Sequence, residues 1–338
     1  MIRRALLGVA AALTLAGLAA CGGGGEKAAK SNEVTFSILS TESAQNMEGY
    51  WEPILKDMEK STGLTVKPFF SSSYGALVEA MRFKQTDVGW FSNRSGLEAV
   101  RRSNGEVFAR TFDDSGTDGY RSIIVVRKDS PITAADLLKC DKKLSLGMGD
   151  VKSTSGNLAP MALFFTPAGI DPAACFKNLL VASNYQANMF AVANGKLDVA
   201  IANSTALQLS LARGDKQTSQ LKVIWQSDIL PEDPMVWRKD LDPAVKEKVR
   251  QFFLTYGQGD TPEAARQREN MKRLSIGGFR AADDSHLLFV RKMEAGEELG
   301  LARRSRDPAK IAAAQKTLDA VEAEIAAAAA KAGAAGTN

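Results

Sequence analysis

The amino-acid sequence predicts an α/β protein of two lobes that are joined by a two-segment hinge. Short apolar segments with strand character alternate with amphipathic helical segments, a pattern typical of mostly parallel sheets covered by helices. The chain has 338 residues, 45% of them hydrophobic, which is enough to bury two cores. The chain forms a second strand–helix series and then returns to the first. We therefore expect it to cross between the two lobes twice, near residues 123–128 and 226–234.

The first residues are interpreted as a processing signal. Two arginines precede an apolar segment, residues 5–18, that is too short to span a bilayer in the ordinary way. The following Leu-Ala-Ala-Cys, ending at Cys21, matches a bacterial lipobox, whose cysteine is diacylated. We therefore expect a lipoprotein signal peptide over 1–20, a flexible Gly/Lys/Ala-rich tether over 21–32 and a lipid-anchored periplasmic protein. The alternative is an ordinary signal peptide with an incidental cysteine.

The first lobe is predicted over residues 33–125 and 232–300. Period-two alternation predicts strands over 34–39 and 65–70, and an apolar segment predicts a third over 87–91. A helix is expected after each strand, with apolar faces marked by Trp51, Ile54, Leu55 and Met58, then by Leu77, Val78 and Met81, and then around 97–101.

The second lobe is predicted over residues 126–231, and a buried strand over 122–127 leads into it. Within it we expect strands over 143–148 and 198–201 and helices over 155–165 and 188–194. The chain then returns through strands over 222–226 and 235–238.

The C-terminal segment is predicted to be an Ala-rich helix over 307–332. It begins with Asp307 as a capping residue and proline at the first helical position. Its apolar stripe, formed by Ile311, Leu318, Val321 and Ile325, requires a partner surface. That surface is either the lobe from which the helix extends or a second copy of the chain, so a homodimer is the alternative.

Charge and composition limit the function classes. The formal net charge is +4, and no block of Lys or Arg supports nucleic-acid binding. The single histidine, His286, has no companion ligands, so we interpret it as structural and expect no metal and no cofactor. No nucleophile–base set or phosphate-loop motif indicates an enzyme.

Cys140 and Cys175 either form a disulfide in an oxidising compartment or remain two buried thiols.

Three hydroxyl-rich segments lie where a strand gives way to a helix, at residues 40–43, 71–75 and 153–156. Helix N-termini offer unsatisfied N–H groups and partial positive charge, so they bind an anion without Lys or Arg. Each segment alone could be an ordinary cap. Together, in a two-lobed secreted protein, they predict an oxyanion site in the cleft between the lobes.

Several motifs carry a resemblance to a known family. They are the segments at 40–43 (STES), 57–60 (DMEK), 81–83 (MRF), 149–156, 191–194 (AVAN) and 233–239 (DPMVWRK). Spread over about residues 34–290, they resemble the phosphate- and phosphonate-binding periplasmic proteins, most closely the phosphonate-importer type. The resemblance implies a type II periplasmic binding-protein fold. It also implies a solute-binding component that captures a phosphonate or related phosphorus oxyanion and delivers it to an ABC permease and ATPase.

By position, the resemblance implies a ligand site of hydroxyl groups and one carboxylate, made by Tyr74, Tyr120, Ser153, Thr154, Ser155 and Asp233. The Ser-Thr-Ser segment would cradle the ligand oxygens, and the tyrosines would donate their O–H groups. The carboxylate would accept a hydrogen bond from a protonated oxygen or an ammonium group, but it would repel a bare dianion.

Two further site positions depart from relatives that bind 2-aminoethylphosphonate. Those relatives carry Glu where this chain has Thr205 and His where it has Tyr185. Loss of the carboxylate removes a charge-assisted hydrogen bond of roughly 1.5–3 kcal/mol. We therefore expect weak binding of 2-aminoethylphosphonate and a preference for phosphite, methylphosphonate or another small phosphonate. The alternatives are a sensor lipoprotein of the same fold and a binder of phosphate, a sulfonate or another oxyanion.

Overall fold

The computed structural model describes residues 32–115, 117–182 and 184–335. The predicted signal peptide, Cys21 and nearly all of the tether lie outside these ranges. Two mixed β-sheets organise the described residues. Within these ranges, none of the helices combines the length and apolar character needed to cross a bilayer.

The first sheet has six strands in the order β11–β4–β10–β3–β1–β2. They are β1 Glu33–Ile38, β2 Thr65–Phe70, β3 Val88–Trp90, β4 Gly105–Asp113, β10 Pro234–Arg238 and β11 Ile276–Ala281. The helices of this part are α1 Ala44–Thr62, α2 Tyr74–Arg82, α3 Asn93–Arg102, α7 Pro243–Thr255 and α8 Pro262–Lys272. Their shared core is rich in aromatic side chains, with Phe36 packed between Trp51 and Phe253.

The second sheet has five strands in the order β7–β6–β8–β5–β9. They are β5 Ser122–Arg127, β6 Ser145–Met148, β7 Asn178–Val181, β8 Val199–Asn203 and β9 Leu221–Gln226. Its helices are α4 Pro172–Cys175, α5 Tyr185–Ala193 and α6 Ser204–Ala212, with short 3-10 turns at Ala134–Leu138 and Thr218–Gln220. Apolar cores cover the sheet on both faces.

Both sheets are mixed, whereas the sequence indicated mostly parallel ones. In the first sheet β1 pairs in parallel with β2 and β3, but β10 runs antiparallel to β3 and β4. In the second, β6 pairs in parallel with β7 and β8, but β5 runs antiparallel to β8 and β9. The strands that run against the parallel ones are β5 and β10, through which the chain enters or returns to a sheet, and β11, which pairs antiparallel with β4.

The chain crosses between the sheets twice. The return segment, between β9 and β10, coincides with the predicted crossing near 226–234. The first crossing lies between β4 and β5, before the predicted 123–128, because all of β5 pairs within the second sheet and the boundary expected at residue 125 falls inside it. The two crossing segments are hydrogen-bonded to each other, with Tyr120 N–H 3.0 Å from the Leu230 oxygen and Leu230 N–H 2.7 Å from the Tyr120 oxygen. Gly119 permits this approach, since a Cβ there would overlap the Leu230 carbonyl.

Most predicted elements are present with shifted ends. The helix expected over 155–165 consists of two wide turns of π-helical type, Thr154–Leu158 and Met161–Phe165. No element was predicted at β4, β7, β11, α4, α6, α7, α8 or the helix Leu288–Ser305. Their patterns are weak: all four residues of β7 are exposed, and β11 contains two glycines.

The C-terminal helix α10, Pro308–Ala335, packs on the preceding helix α9, Leu288–Ser305. Asp307 caps it as predicted, accepting a hydrogen bond from Ala309 N–H at 2.9 Å. Apolar residues of both helices form a small core made of Leu299, Ala302, Ile311, Ala314 and Leu318. The apolar stripe of α10 therefore packs against its own chain.

Cys140 and Cys175 are joined by a disulfide, which decides between the two alternatives left by the sequence. The bond connects the segment before β6 to the end of α4. The disulfide therefore joins two segments that flank the second sheet.

Replacing both cysteines with serine should lower the free energy of unfolding by about 2–4 kcal/mol, because the bond restricts the unfolded chain. The two residues are separated by 35 positions in the sequence. Urea unfolding of the oxidised protein and of the Cys140→Ser/Cys175→Ser variant measures the difference. A reducing agent should destabilise the wild-type protein and leave the double variant unchanged. Equal urea midpoints for the two proteins without reducing agent would contradict this expectation.

Candidate functional site

A small cavity of about 50 Å³ lies between residues of the two sheets. Thr41, Trp90 and Asp233 line it from the first sheet's side, and Asn203 and Thr205 line it from the second. Ligand pockets typically enclose roughly 300–1,000 Å³. In this arrangement the cavity therefore suits only a small ligand.

A buried cluster of hydroxyl groups lies at the carboxyl end of β6. The Ser153 Oγ accepts a hydrogen bond from Gly156 N–H at 2.9 Å and lies 2.7 Å from the Tyr185 hydroxyl. The Ser155 Oγ lies 2.8 Å from the same hydroxyl. The Tyr185 hydroxyl thus occupies the space between the two serine hydroxyls, all within the protein interior.

Glycine makes this turn possible. Gly149 N–H donates to the Gly156 oxygen at 2.9 Å, and a Cβ on Gly149 would lie only 2.8 Å from the Gly156 Cα. The two segments flanking the serines can therefore approach closely enough to bring both serine hydroxyls to one point.

Tyr74 and Thr154 connect this cluster to the first sheet's side. The fully buried Thr154 hydroxyl accepts a hydrogen bond from Arg94 N–H, at the start of α3, at 2.9 Å. The Tyr74 backbone N–H donates to Asp150 Oδ2 at 3.1 Å. Burial raises the pKa of the Tyr74 hydroxyl well above its usual value, and neighbouring Tyr185 adds to the shift. Tyr74 is therefore a neutral hydroxyl and, through its contact with Tyr185, a fourth member of the cluster.

Asp233 is buried and has only neutral partners. The Tyr120 hydroxyl donates to its Oδ1 at 3.0 Å, while the Asn93 amide nitrogen is 3.5 Å from the same oxygen. Burial raises the pKa of Asp233 to about 7, and the hydrogen bond from Tyr120 opposes the shift. The carboxyl group therefore changes its charge near neutral pH.

Glu232, which the sequence analysis did not select, also lines the cavity. The Thr111 hydroxyl donates to its Oε2 at 3.2 Å. Burial, and then the nearby Asp233 and Asp113, raise the pKa of Glu232 to about 8. The only sequence signal for Glu232 was that two acidic residues stand side by side in the return segment, and their packing in the structure shows that both face the cavity.

Contacts around the cavity hold the two sides together. Glu42 Oε1 and Oε2 lie 2.6 and 2.8 Å from one Arg213 nitrogen. Tyr185 N–H donates to the Thr41 oxygen at 3.2 Å. On the other side Lys152 forms an ion pair with Glu98. The structure is thus closed over the site.

Each predicted ligand residue either belongs to the hydroxyl cluster, lies next to it, or lines the cavity. Tyr74, Ser153, Ser155 and Tyr185 form the hydroxyl cluster, with Thr154 beneath it. Tyr120, Thr205 and Asp233 line the cavity. Of the segment at 40–43, Thr41 and Glu42 also line the cavity, whereas Ser43 acts as an ordinary helix cap.

His286 packs beneath the site, where its Nε2 lies 2.8 Å from the Glu232 backbone oxygen. Burial lowers the pKa of this imidazole. Over the described part of the chain, no group of His, Cys, Asp and Glu side chains is arranged to hold a metal ion.

Comparisons with known proteins identify close relatives. The family described as "ABC transporter, phosphonate, periplasmic substrate-binding protein" matches residues 36–287. The phosphonates-binding periplasmic protein of Escherichia coli is 41% identical over 267 residues, which cover 79% of this chain and 77% of that protein.

Two solved structures are similar. A binding-protein component of an ABC phosphonate transporter from Pseudomonas aeruginosa is 37% identical with a TM-score of 0.82, covering 87% of this chain and 98% of that one. PhnD1 of Prochlorococcus marinus, solved with methylphosphonate, is 21% identical with a TM-score of 0.68, covering 78% and 97%. These likenesses confirm the type II periplasmic binding-protein fold.

Stability should fall between about pH 5 and pH 9 because of two acids at the cavity, Asp233 and Glu232. Each binds a proton more tightly in the folded chain, with a pKa of about 7 for Asp233 and about 8 for Glu232. Their contribution is therefore complete below the unfolded pKa values near 4 and is lost as the pH rises through the folded values. Urea midpoints of ligand-free wild type and of Glu232→Gln/Asp233→Asn, measured across this range, test the expectation. As the pH rises, the variant should gain stability relative to wild type. A difference that does not change with pH would contradict the raised pKa values of the two acids.

Proposed function

Since the chain belongs to the phosphonate-binding family of periplasmic substrate-binding proteins of ABC transporters, we propose that it captures a phosphonate or a closely related phosphorus oxyanion between its two sheets and delivers it to a permease and ATPase. Members of this family are transport components and not enzymes. The observation that carries the ligand assignment is the buried cluster of neutral donors made by Ser153, Ser155, Tyr74 and Tyr185. Hydroxyl groups can turn toward anionic oxygens, and hydrogen bonds to a charged acceptor are the strong ones.

The position of the Tyr185 hydroxyl defines how a ligand would enter. It already makes the two hydrogen bonds that Ser153 and Ser155 would offer to a ligand oxygen. A phosphoryl oxygen would therefore replace this hydroxyl, and the tyrosine would turn aside to donate to the ligand. The exchange keeps each buried serine hydroxyl partnered in both states.

We propose that each sheet with its helices forms one lobe and that the two crossing segments are the hinge. The paired crossing at Tyr120 and Leu230 supports this, because it joins the sheets through short backbone connections. The Glu42–Arg213 and Glu98–Lys152 ion pairs would then form on closure. Opening would expose the hydroxyl cluster to solvent.

Calorimetric titration of ligand-free protein with methylphosphonate, phosphite, phosphate and ethanesulfonate tests the proposed function. At least one phosphorus compound should bind, and at a hundredfold excess over Kd it should stabilise the fold by about 2.7 kcal/mol. Binding of the sulfonate alone would assign a different oxyanion, and no binding by any of the four would refute the function.

The Ser155→Ala variant should bind the preferred phosphorus compound at least about tenfold more weakly, because a charge-assisted hydrogen bond is lost. Its folding stability should change little, since Tyr185 keeps Ser153 as a partner. Ser153→Ala is the matched comparison: it should weaken binding and also lower the melting temperature, because it removes the cap on Gly156 N–H, a contribution of about 1 kcal/mol. Wild-type affinity in Ser155→Ala would exclude its hydroxyl from the site.

We further propose lipid attachment at Cys21, on the strength of the lipobox alone. The full chain expressed in a bacterium should incorporate labelled palmitate and sediment with membranes, whereas Cys21→Ser should do neither. Equal labelling of both proteins would contradict the anchor. A homodimer through α10 remains a prediction, although the stripe of this helix already packs on α9.

A further inference from the structure

The wide turn Thr154–Leu158 sets the geometry of the hydroxyl cluster, since Ser153 caps its start and Ser155 lies within it. Its backbone hydrogen bonds span five residues, as in the bond of 3.2 Å from Leu158 N–H to the Ser153 oxygen. Turns of this π type are rare and are found frequently at functional sites. Contacts from outside the turn therefore help to fix the positions of the two serine hydroxyls.

Arg94 contacts this turn twice from the first sheet's side. Its backbone N–H donates to the Thr154 hydroxyl at 2.9 Å, and its Nη1 donates to Asn157 Oδ1 at 3.0 Å. Any residue other than proline could supply the first bond, whereas the second requires a long side chain that ends in a donor. Arg94 is not one of the residues that line the cavity, so it would act on the ligand through the turn.

The Arg94 guanidinium is oriented by groups of its own side. Its Nε lies 3.5 Å from Glu294 Oε1 of α9, and the Arg101 Nη1 lies 2.7 Å from the other oxygen of that carboxylate. Val290 and Met293 anchor this part of α9 in the core of the first sheet. The Arg94 side chain is only 21% exposed, and partly buried ion pairs are screened less by salt. The guanidinium is therefore held in place independently of the second sheet.

Two serines support the same turn through its backbone. Ser92 Oγ donates to the Lys152 oxygen at 2.9 Å, and Ser122 Oγ of β5 donates to the Ser155 oxygen at 2.7 Å. The Ser122 bond lies within the second sheet's side, whereas the bonds from Ser92 and Arg94 come from the first. Hydrogen bonds with an ionised donor are roughly twice as strong as neutral ones. Among these side-chain bonds from the first side, we therefore expect that of Arg94 to contribute most.

We propose that Arg94 is a positioning residue that fixes the ligand-binding turn when the two lobes close, acting through its hydrogen bond to Asn157. The inference rests on the proposed function. In the closed arrangement this bond joins α3 on one side to the turn on the other. Opening of the cleft separates the two sides, so the bond forms only in the state that encloses the ligand. A contact confined to the closed state stabilises that state and slows the release of the ligand.

Stopped-flow measurement of ligand binding and release tests this role, with whichever of methylphosphonate, phosphite and phosphate binds wild type most tightly. Arg94→Met keeps much of the apolar length of the side chain but removes its donors. It should bind about five- to tenfold more weakly, with nearly all of the loss in a faster dissociation rate.

Arg101→Met is the matched control and should keep the wild-type rates. Arg101 pairs with the same Glu294, but it lies about two helical turns further along α3 and its side chain is 51% exposed. Urea midpoints of ligand-free Arg94→Met and Arg101→Met should fall by similar amounts, because each protein loses one pair with Glu294.

A double-mutant cycle separates positioning from a general loss of stability. Arg94→Met and Asn157→Ala remove the two ends of one hydrogen bond, so the double variant should release the ligand no faster than the faster single variant. Additive effects on the dissociation rate, or equal rates for Arg94→Met and Arg101→Met, would overturn this inference, whereas binding by wild type leaves the proposed function intact. If none of the three phosphorus compounds binds wild type, the proposed function fails and this inference fails with it.

Discussion

The site depends on one constraint: a polar group that is buried between the two sheets must have a partner. Leaving a buried donor or acceptor unpaired costs about 1–3 kcal/mol. The Tyr185 hydroxyl between Ser153 and Ser155 meets this requirement for three groups at once. The glycine pair behind the serines, Gly149 and Gly156, matters because it allows the backbone to place both hydroxyls at that point.

Two kinds of electrostatic contact have separate roles in this arrangement. The ion pairs Glu42–Arg213 and Glu98–Lys152 join the two sides of the site and would hold the lobes together. The hydroxyl cluster itself contains neutral donors, which can bind an oxyanion without a fixed opposite charge. A receptor that must release its ligand to a permease benefits from this separation, because opening the peripheral contacts exposes the ligand to water.

Local patterns were sufficient to predict much of the first sheet. The alternation over β1 and β2 and the apolar face of α1, ended by Gly63 in a left-handed conformation, match the structure closely. β7 and β11 escaped prediction because exposed and glycine-containing strands lack such a pattern. The disulfide could not be derived from two cysteines alone, since pairing depends on how α4 approaches the segment before β6.

The candidate ligand residues were selected through family motifs, whereas their mutual contacts could not be predicted. Ser155 and Tyr185 are 30 positions apart, and no local rule brings their hydroxyls together. Glu232 was missed because its neighbour Asp233 belongs to a family motif and it does not. Its place in the cavity wall depends on how the return segment packs against Thr111 of β4.

A crystal structure of the protein with methylphosphonate would test whether a ligand oxygen takes the place of the Tyr185 hydroxyl. We expect phosphonate oxygens within hydrogen-bonding distance of Ser153 and Ser155, with the Tyr185 hydroxyl displaced from between them. A phosphonate bound elsewhere, with that hydroxyl still between the two serines, would contradict it.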